Sequence, residues 1–207
     1  MAIDYSRREQ AKRQQIREGA KQMFFEKGFS RATTDAIAAK AGVSKQTLYA
    51  YYPTKEDLMV DLLRHLMSDI LHQWPLDEKE QAIISKDQLR KELTEQAQSM
   101  ITDIMQPEYL SLVRVIVAES PRLPQLGDLF RETICERALD HNRLILERAR
   151  GEVVSYDLDV EAASHMFVGF LLMHAIHGGL LASEGKIAIP APTIIDTMID
   201  LYLKAIT

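Results

Sequence analysis

The chain has 207 residues, 46% of them hydrophobic and 27% charged, which rules out a disordered segment and leaves room for one or two domains with a buried core. The net charge of −5 hides a split: residues 1–55 carry 11 Lys and Arg against 5 Asp and Glu, a net of +6, and the rest carry 14 against 25, a net of −11. The single Cys135 excludes an intramolecular disulfide, and no basic-then-apolar leader opens the chain, so a cytoplasmic location is expected.

Taken in chain order, Ile16, Ala20, Met23 and Phe24 fall at helical spacing and predict a first helix from about Arg8 to Lys27, closed by Gly28. Arg7, Arg8, Lys12 and Arg13 read either as an arm that follows a nucleic-acid backbone or as a solvated tail. Thr33 or Thr34 caps a second short helix with an apolar edge of Ile37, Ala38 and Ala41. Gly42 supplies a tight turn, Ser44 caps a third helix from Lys45 to about Tyr51, and Pro53 ends it. Thr54 with Asp57 forms a variant capping box for a fourth helix running to about Gln73, before Trp74-Pro75.

Residues 75–87 are polar and read as a loop. Further helices are expected at about 88–105, 108–119, 126–150, 158–182 and 191–205, separated by Pro107, Pro121, Pro124, Gly151, Gly185, Pro190 and Pro192. Nine helices and no sheet make the chain all-α; Ile187 and Ile189 alternate over too short a stretch for one. The uncharged run Met166–Ser183 is broken by His174, His177, Gly178 and Gly179, which favours a buried interface helix over a membrane span.

Two short helices joined by a glycine turn, in a basic head, are the signature of a helix-turn-helix that places its second helix in the DNA major groove. Lys45, Gln46 and Thr47 stand in the first turn of that helix as candidates for base-edge contact: Gln46 for adenine, Lys45 for guanine, the Thr47 methyl for thymine. Lys45 also fits an ordinary solvated lysine, and Tyr49 fits a core residue of the head. Thr34 and Ser44 are caps first, with phosphate contact as an added role. Lys55 opposes the dipole at the start of its helix, a conflict that a DNA phosphate would resolve, whereas Asp35 suits its own first turn but not a phosphate.

Residues 16–58 resemble the DNA-binding domain of the TetR family of bacterial transcriptional regulators. The resemblance is carried by Ile16, Ala20, Phe24, Gly28-Phe29, Thr34, Ile37-Ala38, Ala41-Gly42-Val43-Ser44, Thr47-Leu48-Tyr49, Tyr51, Lys55 and Leu58. Gly19 and Tyr52 depart from the usual alanine and phenylalanine, and neither is expected to threaten the fold. Residues 107–150, with PEYLSLVRVIVAESPRLPQLGDLF, look like one ligand-domain subgroup of that family. The resemblance implies a DNA-binding domain at 1–55, hydroxyls of Tyr49 and Tyr51 on phosphates, and a ligand-binding and dimerisation domain at 56–207. It also implies that a small-molecule inducer alters the spacing of two heads.

One short recognition helix binds weakly, so a homodimer on a pseudo-palindrome is expected. Met166, Phe170, Ile176, Ile195, Ile199 and Tyr202 are its candidate interface residues, with Phe167 and Leu171 in the same apolar stripes and Ala175, Gly178 and Gly179 allowing close approach. Met100, Ile104, Met105, Tyr109, Val113, Phe167 and His174 are candidates to line a pocket for an apolar or amphipathic effector, although each also fits ordinary core. His165, His174 and His177 with Glu184 lack the spacing of a metal site, and no HExxH, CxxC or glycine-rich phosphate loop is present. No cofactor, metal or catalytic residue is expected. The composite expectation is a repressor released from a palindromic operator by a small molecule; the alternative is an architectural DNA-binding protein without an inducer.

Overall fold

The computed structural model describes residues 7–73, 81–183 and 186–207, with the side chains of 69–73 outside the described set. Two compact units divide the chain: Met1–Gln73 with Val115–Phe130, and Trp74–Arg114 with Arg131–Thr207. The expected end of the fourth helix at Trp74-Pro75, residues 75–80 of the expected loop at 75–87, and Glu184 and Gly185 lie outside the described residues.

In the first unit, helices α1 (Arg7–Lys27), α2 (Thr34–Lys40), α3 (Lys45–Tyr51) and α4 (Lys55–Gln73) follow one another through short turns. Helix α1 buries Ile16, Gly19, Ala20, Met23 and Phe24, the one stripe that its sequence offers. It stops at Gly28, whose φ of 75° no β-carbon-bearing residue adopts easily. Arg7, Arg8, Lys12 and Arg13 belong to α1, so they form neither an arm nor a tail. Thr33 and Ser44 cap α2 and α3 by accepting from Ala36 N and Thr47 N. The Thr54–Asp57 box closes at both ends: Asp57 Oδ2 accepts from Thr54 N at 3.1 Å, and Thr54 Oγ1 accepts from Asp57 N at 3.0 Å.

Gly19 is demanded by packing. A β-carbon there would stand 2.7 Å from Ala41 N and 2.8 Å from Ala41 Cβ, so the α2–α3 turn rests directly on the backbone of α1. Gln15 reinforces that crossing by donating to Ala41 O at 2.7 Å. Residues 115–130 complete this unit with the end of α6 (Pro107–Glu119) and with α7 (Pro124–Phe130), burying Ile116, Leu123 and Leu126. Arg122, in the turn between them, donates to Ser30 Oγ at 3.1 Å.

The second unit contains α5 (Lys86–Ile104), the start of α6, α8 (Glu136–Ala149), α9 (Val160–Ala175) and α10 (Pro192–Ile206). Its core includes Leu93, Ile101, Leu146, Phe167, Leu171 and Ile199, with the Phe167 and Tyr202 rings 5.3 Å apart. A polar string crosses this apolar interior: Asn142 donates to Gln96 Oε1 at 3.0 Å, and Tyr202 Oη lies within hydrogen-bond reach of Asn142 Oδ1 and Ala163 O.

π-helical turns at Arg131–Cys135 and Ile176–Leu180 join α7 to α8 and extend α9. Arg114 donates to Gly179 O and Leu180 O at the C-terminal end of the second turn. Counted with these turns, the described residues form nine continuous helices and no strand, as expected. Two helices start earlier than expected, at Pro107 and Pro124, and α10 starts at Pro192, because proline's missing N–H is harmless at a helix's first position; these prolines begin helices rather than separate them. No helix among the described residues is long and apolar enough to cross a membrane.

Candidate nucleic-acid interface

Helix α3 is held from below by Leu48, which is fully buried, while Lys45, Gln46 and Tyr49 are exposed and Thr47 and Tyr51 are half-buried. A seven-residue helix alternates these fates because one apolar residue per turn suffices to seat it. The capping residue Ser44 also shares a 2.8 Å hydrogen bond with Thr47 Oγ1, so the Thr47 hydroxyl is engaged at the helix start. Tyr49 is 42% exposed and its hydroxyl lies 3.1 Å from Thr34 Oγ1, which places it on the surface of the head rather than in its core. Thr34, Ser44, Lys45, Gln46, Thr47, Tyr49 and Tyr51 all come from α2, α3 and the turn between them.

Lys55 is resolved differently from expectation. Its ammonium donates to Phe29 O at 2.8 Å and Ala32 O at 3.1 Å and sits 4.3 Å from the centre of the Phe29 ring. These loop carbonyls supply the negative partners that its position in the first turn of α4 calls for. The conflict is met inside the head, and one N–H of the ammonium is left for an outside acceptor.

Four residues position α3 against α1 and α4, and of these sequence reasoning had singled out only Arg13 for the interface. Tyr52 is buried and donates to Asp61 Oδ2 at 2.6 Å; Arg17 reaches the same oxygen at 3.2 Å. Burial, reinforced by the bond to Asp61, pushes the Tyr52 phenol well above its ordinary range. Arg13 lies over the rings of Tyr51 and Tyr52, 5.7 and 5.1 Å from their centres. The only sequence signal was Tyr52 itself, a hydroxyl where phenylalanine is usual.

The expected effector residues lie in the second unit. Met100, Ile104, Met105, Tyr109 and Phe167 are buried, whereas Val113 and His174 are half-buried. Phe170 packs edge-on against His174 at 4.6 Å, and His165 is paired with Glu161. Of the expected dimer residues, Met166 is 48% exposed and Phe170 and Ile176 are half-buried. Ile195, Ile199 and Tyr202 are not on the surface: all three are buried within the protomer, Tyr202 by the polar string to Asn142 and Ala163. Exposed apolar side chains on the same two helices are instead Leu172, Met173, Ile194 and Leu201. Gly178 and Gly179 likewise serve close approach within the chain, against Ala188 O, Leu110 and Met105.

A basic three-helix head with a capped, outward-facing third helix defines a helix-turn-helix DNA-binding protein. Residues 16–62 match the family described as bacterial regulatory proteins, tetR family, and residues 83–188 match the tetracyclin repressor-like C-terminal domain. The chain belongs to the TetR family of bacterial transcriptional regulators.

Among its relatives, the fatty acid metabolism regulator protein of Bacillus subtilis (strain 168) is 32% identical over 68 residues, which span 33% of this chain and 35% of that protein. An uncharacterised HTH-type regulator of Mycobacterium tuberculosis is 27% identical over 165 residues, 74% of this chain and 86% of that protein. Among solved structures, a TetR-family regulator from Mesorhizobium loti MAFF303099 superposes with a TM-score of 0.70 at 25% identity, covering 97% of this chain and 96% of that one. The flavonoid-responsive regulator FrrA superposes at 0.67 with 29% identity, covering 95% and 97%.

Proposed function

We propose that the protein is a homodimeric repressor that binds a palindromic operator through residues 1–55 and is released when a small molecule binds within residues 56–207. The observation that carries this reading is the outer face of α3, where Lys45, Gln46 and Tyr49 are exposed on a helix fixed at its start by Ser44 and beneath by Leu48. Thr34, Ser44, Thr47, Tyr51 and Lys55 complete the contact set, chiefly toward phosphates, and Gln46 reads a base edge.

Dimerisation is supported by α9, whose outer face of Met166, Leu172 and Met173 is 48–63% exposed and has no use in a monomer. The expected interface at Phe170 and Ile176 adjoins that face. The effector is apolar or amphipathic, in keeping with the buried Met100, Ile104, Met105, Tyr109 and Phe167 and with flavonoid response in FrrA. Such a regulator acts on chromosomal DNA in the cytoplasm and has no catalytic function.

The test is selection of bound duplexes from a random library by the purified protein, followed by a screen of flavonoids and acyl compounds for release. Enrichment of a palindrome and its release by one compound class is the expected result. Salt-sensitive binding with no enriched sequence would replace the repressor by an architectural protein.

A further inference from the structure

The first turns of α2 and α3 carry opposite charges that meet on the outer surface of the head. Lys45 Nζ lies 2.8 Å from Asp35 Oδ1 and 3.0 Å from Oδ2, while the two side chains remain 52% and 68% exposed. The carboxylate holds the ammonium above its ordinary range. Beside this pair, Thr34 meets Tyr49 at 3.1 Å. Lys45 and Tyr49 are one turn apart on α3, and Thr34 and Asp35 are successive on α2, so the two pairs form one continuous edge. An exposed ion pair adds little stability. The first-turn place of Asp35 on α2 gains a little from the helix dipole, and against that stands the repulsion of phosphate by a carboxylate on a basic surface.

We propose that Asp35 is a sequence-determining residue of the DNA interface: it fixes the Lys45 ammonium and presents its own oxygens to the exocyclic amine of a base. The proposal rests on the reading of α3 as the base-reading helix. The ammonium gives one N–H to the carboxylate, shared between its two oxygens, which leaves two for base acceptors, and each carboxylate oxygen keeps a lone pair. In the major groove guanine O6, an acceptor, adjoins the N4 amine of its cytosine, and thymine O4 adjoins the N6 amine of its adenine.

A donor and an acceptor held about 3 Å apart, a hydrogen-bond length, match such an edge in one direction only. G·C and T·A fit. In C·G and A·T the ammonium faces an amine and the carboxylate faces a keto oxygen, and both contacts are repulsive. Guanine surpasses thymine, since N7 gives Lys45 a second acceptor where thymine carries a methyl group. A lysine without this partner would swing to the nearest phosphate and report no order of bases.

The experiment is bound-sequence selection with wild type, Asp35→Ala and Asp35→Asn, together with the salt dependence of binding to an unrelated duplex. Wild type enriches a palindrome with guanine, then thymine, at one symmetric position of each half-site. Asp35→Ala loses about tenfold discrimination at that position alone. It also binds unrelated DNA more tightly, with a salt slope steeper by about one per subunit as Lys45 turns to phosphate. Asp35→Asn loses the same preference, because a neutral amide no longer fixes the ammonium. An unchanged profile in Asp35→Ala overturns the proposal and leaves the repressor reading standing; so does a uniform loss at every position, which makes Asp35 only a first-turn residue of α2. Failure of the wild type to enrich any palindrome overturns the repressor reading, and this proposal with it.

Discussion

Removing one oxygen, by Tyr52→Phe, tests the joint between the recognition helix and α4. The ring is buried and stays so in the variant, beneath Arg13, while the 2.6 Å bond to Asp61 Oδ2 is lost. A hydrogen bond to a charged group contributes ~1.5–3 kcal/mol. Asp61 is 28% exposed and keeps Arg17 at 3.2 Å, so water and the guanidinium recover part of that, leaving a loss of ~1–2 kcal/mol. For a chain of this size the midpoint of thermal unfolding should fall by roughly 2–8 °C.

The pH dependence gives the sharper check. The folded phenol titrates above its ordinary value of 10.0, so its contribution is complete below pH 10 and is lost as pH rises toward the folded value. The stability gap between wild type and variant should hold between pH 7 and 9 and shrink above 10. Urea unfolding across that range, with an Asp61→Asn cycle, measures it. Equal stability of the two proteins, or additive effects of the two substitutions, would refute the account.

Three further outcomes are expected. Gly19→Ala, a return to the residue usual in the family, should destabilise the head by ~1–3 kcal/mol, since the new methyl meets the Ala41 backbone; calorimetry decides it. Lys55→Ala should lower both stability and the salt slope of DNA binding, the latter by about one, because its ammonium joins the loop carbonyls and one donor faces outward; an unchanged slope would confine Lys55 to the loop. Met173→Glu should convert the proposed dimer into a monomer in sedimentation and weaken operator binding, whereas a dimer that persists would move the interface off α9.

What the sequence disclosed and what it withheld follow from distance along the chain. Caps and turns act over three or four residues, so Ser44, Thr54 with Asp57, Gly28 and Gly42 were readable and the cap of α2 was narrowed to Thr33 or Thr34, of which Thr33 takes the role; with them came the whole helix-turn-helix. The role of Lys55 depended on carbonyls 23 and 26 residues earlier, and that of Gly19 on a backbone 22 positions later, which no local pattern records. Three of the expected dimer residues, Ile195, Ile199 and Tyr202, lie inside the protomer for another reason. Helix α9 is apolar on both faces, so periodicity could not separate the face turned inward, with Phe167 and Leu171, from the face with Met166 and Met173. On α10 the same ambiguity assigned Ile195, Ile199 and Tyr202 to the surface when they belong inside.

The contact between Arg122 and Ser30 spans 92 residues, and the unit that holds the recognition helix takes in residues 115–130. On the ribosome, the first 55 residues therefore emerge before α7, which packs against α4 within this unit. At ~5–20 residues per second the missing segment arrives roughly 4–15 s later. During that interval the nascent head carries its basic surface and an uncovered apolar flank together. The same interval sets the cost of dissection: a fragment cut after the helix-turn-helix retains every residue proposed to touch DNA and lacks both the rest of α4 and the α7 that packs on it.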